Sequence, residues 1–158
     1  MENNGKLRII FSNSNLPFSW GVRLVTWSRW SHAGIIIDDE RVIESTFSHK
    51  GVKIHTLDSF KERAREWMII EIDCKDRQAI IQKAYEQIDK PYDWTALIGI
   101  LLHDRDWQED DSWFCFELIA YSCAEGGTPI VTDKRIHRVT APHILKYPHR
   151  VIQMSTVS

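Results

Sequence analysis

Hydrophobic residues in the first half of the chain come in short runs separated by polar turns, a spacing that suits strands better than helices. Leu7–Phe11 (LRIIF) predicts a buried strand closed by the turn-forming SNSN at 12–15. HAGIII at 32–37 is a β-branched run and predicts an interior strand; DDER at 38–41 turns the chain, and VIEST at 42–46 returns it. GVKIHT at 51–56 alternates as a third strand, Asp58–Glu66 predicts a short helix, and Trp67–Ile72 (WMIIEI) a further strand. The period then lengthens. Asp76 is a good cap for a helix that puts Ile80, Ile81, Ala84, Tyr85 and Ile88 on one face, with Pro91 behind it as a stop. Residues 94–103 predict a second, mostly buried helix, and residues 113–125 a third, capped by Ser112 and ended by Gly126 and Gly127. A capped turn at Thr140–Leu145 and a strand at Val151–Met154 complete the pattern. Residues 20–30 (WGVRLVTWSRW) fit a helix or a loop, with Trp20, Trp27 and Trp30 forming an exposed patch that is either a groove or a partner surface. Strands concentrated before helices define an α+β domain.

At 158 residues, with no repeat, low-complexity tract or linker, residues 1–158 are expected to form one domain. A net charge of -2 without a lysine or arginine run argues against capture of nucleic acid or of an anionic membrane surface. The nearly apolar run from Trp94 to Leu102 is too short to span a bilayer, so no stable membrane insertion is expected. The N-terminal residues MENNGKLRIIF lack a signal-peptide core, and the three cysteines, at 74, 115 and 123, have no framework spacing. These features predict a cytoplasmic protein. Without a CxxC or HxxxH spacing, neither a metal nor a cofactor is expected.

The cysteines differ in position. With Ser112 as cap, Cys115 is the third helical residue, where unsatisfied N–H groups favour thiolate over thiol. Cys123, mid-helix, and Cys74 read as buried filler. A working thiolate needs a base and a group to orient the base. His32 opens an interior strand and would face a cleft at the sheet edge, whereas the histidines at 49, 55, 103, 137, 143 and 149 read as solvated surface residues. Glu44 is an acid in an otherwise apolar strand. A tight 32–37/42–46 hairpin pairs residues summing to about 78 or 79, which leaves Glu44 near Ile35 and about three residues along from His32. In that ladder a bulge, a longer turn or a different strand is needed to bring an acid onto the ring, and the plain reading of Glu44 is a surface acid on an edge strand.

Taken in order, WSHAGIII, VIES, KPYDW, DSWFCFEL and RVTAPHIL resemble the circularly permuted NlpC-type papain-like cysteine hydrolases of the YiiX/YebB kind. The resemblance implies a papain-like fold with a small antiparallel sheet packed against helices, and a catalytic cysteine at a helix N-terminus. It makes Cys115 the nucleophile, His32 the base and Glu44 the acid that orients the ring, with Tyr92, Ser31 and Trp113 lining the substrate site. It also implies hydrolysis of an amide or ester through a thioester acyl-enzyme, on a small-molecule, peptide or acyl-lipid substrate such as a cell-wall peptide or an N-acyl compound. Two alternatives share the fold: a lecithin:retinol acyltransferase-like acyltransferase or phospholipase, whose usual NCEHF segment is missing here, and a non-catalytic binding module. Phe116 departs from the family's common serine and changes the hydrogen bonding expected beside the nucleophile.

Overall fold

The computed structural model describes residues 5–14, 28–46, 50–91, 115–133 and 139–155. Among these residues the chain runs β1 (Lys6–Asn13), β2 (His32–Ile36), β3 (Arg41–Thr46), β4 (Gly51–Thr56), α1 (Leu57–Arg63), β5 (Glu66–Asp73), α2 (Arg77–Tyr85), α3 (Cys115–Glu125), α4 (Ala141–Leu145) and β6 (His149–Met154). The six strands form one antiparallel sheet in the order β4-β3-β2-β1-β5-β6, with β4 and β6 at its edges.

The continuous apolar runs at the centre of the sheet have a simple cause: helices cover both faces, so neither set of alternating side chains meets water. On one face Leu7, Ile9, Phe11, Ile35, Ile43 and Ile70 pack with Ile80, Ile81 and Ala84 of α2 and with Leu118, Ile119 and Cys123 of α3. On the other, Ile10, Ile36, Val42 and Ile69 lie under Leu57 and Phe60 of α1. Each fully buried aliphatic or aromatic side chain of this kind contributes about 1.5–3 kcal/mol of transfer free energy. Helices α2 and α3 approach closely where α3 ends: a Cβ on Gly126 would lie 2.7 Å from the Cα of Ile80. The stop itself is as expected, with Thr128 N–H bonding back to the Cys123 carbonyl and Gly127 left-handed at φ 86°.

Several expectations are corrected. Ser12 and Asn13 continue β1 rather than turning, because β5 pairs with them through Trp67 and Glu66. The first helix starts at Leu57 on a Thr56 cap and ends at Arg63, and Glu66 opens β5 instead of closing the helix. Trp30 is buried against Phe11 and is no part of an exposed patch. Trp20, Trp27, the helix at 94–103 and the Ser112 cap lie outside the described residues. No helix among the described residues is long and apolar enough to cross a membrane.

Candidate active site

The site forms where β2, β3, β4, α1 and the start of α3 meet. Cys115 is the first residue of α3 and is buried. His32 is the first residue of β2, its ring partly buried and stacked on Phe60 of α1 at 5.3 Å between centroids. The ring's Nε2 lies 2.5 Å from Oε2 of Glu44, and the ring also hydrogen-bonds Cys115. With Nε2 committed to the carboxylate, Nδ1 is the nitrogen left for the sulfur. Residues 32, 44 and 115, far apart in sequence, thus make one chain of contacts from thiol to imidazole to carboxylate.

The geometry that joins Glu44 to His32 is simpler than the ladder argument required. Glu44 pairs with Gly34, not Ile35, and no bulge interrupts β2 and β3. His32 and Gly34 share a face of the pleat, so Glu44 is the diagonal neighbour of His32, at a spacing long side chains can cross. Gly34 leaves the crossing open. A Cβ there would stand 3.3 Å from the Cβ of Glu44 and 2.6 Å from Val42 Cγ2. The reading of Glu44 as a surface acid on an edge strand is also corrected: β3 is interior, and Glu44 is 0% exposed.

A buried carboxylate persists only with partners, and Glu44 has them on both oxygens. His55 Nδ1 lies 2.7 Å from Oε1, and the Arg63 guanidinium donates to the same oxygen. Burial opposes the charge, but hydrogen bonds from His32 and His55 and the positive charges of His32 and Arg63 outweigh it, holding the carboxyl well below its usual range. The same balance acts on His32 in mirror image. Burial disfavours the imidazolium, while hydrogen bonds and negative charge at Cys115 and Glu44 raise its pKa to about 10. Both shifts favour the charged forms, an imidazolium beside a carboxylate.

The other sites named from sequence fall as follows. Ser31 is buried beside His32, its N–H donating to the Ser12 carbonyl. Tyr92 and Trp113 lie outside the described residues. Phe116 points into the core, 6.4 Å from the ring of Phe11, so it fills space beneath the site. Burial pushes the Cys123 thiol up to about 12, in keeping with filler, whereas Cys74 is only partly buried, packed against the core, with its thiol raised as well. His55 is not a solvated surface residue but one of Glu44's partners, and His143 accepts from the Thr140 N–H at 3.0 Å as part of the α4 cap. The period-two pattern of β4 carries a signal for His55. Lys53 is the residue opposite Glu44, so His55, two along, shares that face. Arg63 has no such signal, since only the docking of α1 brings it near.

A layered α+β domain with one antiparallel sheet and a cysteine opening a helix beside a strand histidine defines the papain-like class of folds. Over residues 5–143 the chain matches the family described as permuted papain-like amidase enzyme, YaeF/YiiX, C92 family, and it belongs to that family. A crystal structure described as that of the metalloprotein yiiX from Escherichia coli O157:H7 is similar in fold, with a TM-score of 0.71 at 18% identity, covering 96% of this chain and 97% of that one. No curated protein matches the sequence.

Proposed function

We propose that the protein is a thiol-dependent amidase or peptidase in which Cys115 is the nucleophile, His32 the general acid and base, and Glu44 the group that orients the ring. The observation that carries this reading is the His32 ring held between Cys115 and a fully buried carboxylate. Sγ of Cys115 attacks the substrate carbonyl, forming a C–S bond and an oxyanion. The backbone N–H of Cys115, at the start of α3, would stabilise that oxyanion, at about 3 kcal/mol for such a donor. Protonated His32 gives its proton to the leaving amine or alcohol as the C–N or C–O bond breaks, leaving a thioester. Water then attacks the thioester, His32 takes its proton, and the tetrahedral adduct breaks its C–S bond to release the carboxylic acid and the Cys115 thiolate beside protonated His32. Because the carboxylate–imidazole–sulfur chain is complete, the catalytic reading is favoured over a silent binding module. The substrates are amides or esters of peptide or N-acyl type, including cell-wall peptides and acyl lipids. Three free thiols support placing the protein in a reducing compartment such as the cytoplasm.

The test joins labelling to turnover. Iodoacetamide at neutral pH should modify Cys115 well ahead of Cys74 and Cys123, as read by peptide mapping. A panel of acyl-amide and acyl-ester substrates, followed by intact-mass spectrometry, should show an acyl adduct on Cys115 that is missing in Cys115→Ala and strongly reduced in His32→Ala. Transfer of the acyl group to an added amine or alcohol in preference to water would reassign the protein as an acyltransferase. Turnover undiminished in Cys115→Ala would end the proposal.

A further inference from the structure

The buried carboxylate has more partners than orientation of one ring requires, and they arrive from different elements. His55 on β4 and His32 on β2 are both diagonal to Glu44, one on each side of β3. Arg63 closes α1, whose Thr56 cap is the last residue of β4, so one continuous segment brings both His55 and Arg63 to the acid. The guanidinium is itself fixed, its Nε donating to the Ser59 carbonyl at 3.2 Å and its Cζ lying 5.7 Å from the centre of the Phe60 ring. Phe60 in turn covers the face of His32. The cation opposite Glu44 on β4, Lys53, is engaged elsewhere by Asp89.

We infer that Arg63 and His55 are positioning residues for the base: by jointly holding Oε1 of Glu44, they commit Oε2 to His32. A carboxylate offers about four lone-pair sites. With donors only on Oε2 it can rotate about its last bond and present either oxygen, or swing off the ring. The Arg63 guanidinium donating to Oε1, and the His55 ring with Nδ1 2.7 Å from the same oxygen, come from different elements and remove that freedom. Among the described residues the groups facing His32 are Glu44 and Cys115, with Phe60 over the ring, while Arg63 and His55 act through Glu44.

The inference rests on the catalytic reading of His32, but its test reads the ring directly and so can fail separately from turnover. Uniformly 15N-histidine-labelled protein is titrated by NMR, and the rate of Cys115 alkylation by iodoacetamide is followed over the same pH range. The sign of the shift separates positioning from simple charge. If Arg63 acts only as a nearby cation, Arg63→Met removes a repulsion and raises the His32 midpoint. If it positions the carboxylate, the ring loses its partner and the midpoint falls toward the ordinary value of about 6.5. We expect a fall of at least about one unit, with the pH dependence of Cys115 alkylation moving in step with the His32 midpoint. Arg63→Lys, which keeps the charge but not the fork, should recover part of both changes. His55→Phe should shift the midpoint in the same direction, and His55→Asn, which restores a donor near Nδ1, should reverse most of that shift. An unchanged or raised His32 midpoint in folded Arg63→Met overturns the inference. If that variant does not fold, an unchanged midpoint in His55→Phe overturns it instead.

Discussion

Gly34→Ala probes the lane that lets an acid on β3 reach a histidine on β2. Gly34 is not in left-handed backbone, so alanine is conformationally allowed, and the variant tests space alone. A methyl there would stand 2.6 Å from Val42 Cγ2 and 3.0 Å from the Ile43 carbonyl oxygen, where comfortable contacts are about 3.5–4.0 Å. Val42 is fully buried and β-branched, so it has little room to yield. Overpacking of this kind costs about 1–3 kcal/mol, while restricting the unfolded chain returns about 0.4–1 kcal/mol. The net expectation is a loss of up to about 2.6 kcal/mol, and about 1.3 kcal/mol at mid-range, or about 3–5 °C in melting temperature for a chain of this size. The methyl also sits 3.3 Å from the Cβ of Glu44, so relief of the clash moves the acid away from His32. Calorimetry and NMR titration of the His32 ring should therefore change together, the melting temperature falling and the imidazole midpoint dropping from about 10. Strand glycines with space around them gain stability when replaced by alanine. A melting temperature that holds or rises, with an unmoved His32 midpoint, would refute the argument that the missing side chain makes the site.

Glu44→Gln leaves the Arg63 and His32 charges without their shared counter-ion. Removing one partner of a buried pair costs about 3–5 kcal/mol, an upper bound here because Arg63 is 35% exposed and can turn to solvent; urea melts at neutral pH measure the loss, and the alkylation rate of Cys115 should fall with it. The depressed ionisation of Glu44 contributes stability above its ordinary pKa of 4.5, lost as pH falls below that value, so the acid limb of the wild-type stability curve should flatten in Glu44→Gln. His32 has the opposite sign: its raised pKa contributes stability that is full below 6.5 and is lost as pH rises toward 10, a decline that His32→Gln should abolish in denaturant titrations between those limits. Cys123→Ala should cost about 1 kcal/mol for the lost buried atoms and leave Cys115 labelling within twofold of wild type; a large loss of labelling would show that Cys123 is more than filler.

Much of the fold was legible locally. The apolar run LRIIF, the alternation of GVKIHT and the Asp76-capped helix each express preferences that act within a few residues, and all of them formed. Cys115 at a helix start and His32 at a strand start were legible for the same reason, as was the ending of α3 at its two glycines. What tertiary structure decided was how these pieces meet. Glu44 looked badly placed because a ladder argument counts directly opposed residues, whereas long side chains work on the diagonal and Gly34 clears the way. His55 looked like surface until β4 was laid beside β3, and Arg63 entered the site only when α1 folded over the sheet through Leu57 and Phe60. The sequence by itself determined the elements and the kinds of chemical group, because propensity, capping and periodicity are short-range. Only the tertiary structure decided which charges share a buried oxygen, because that depends on contacts among strands and a helix whose register and docking are set by the core as a whole.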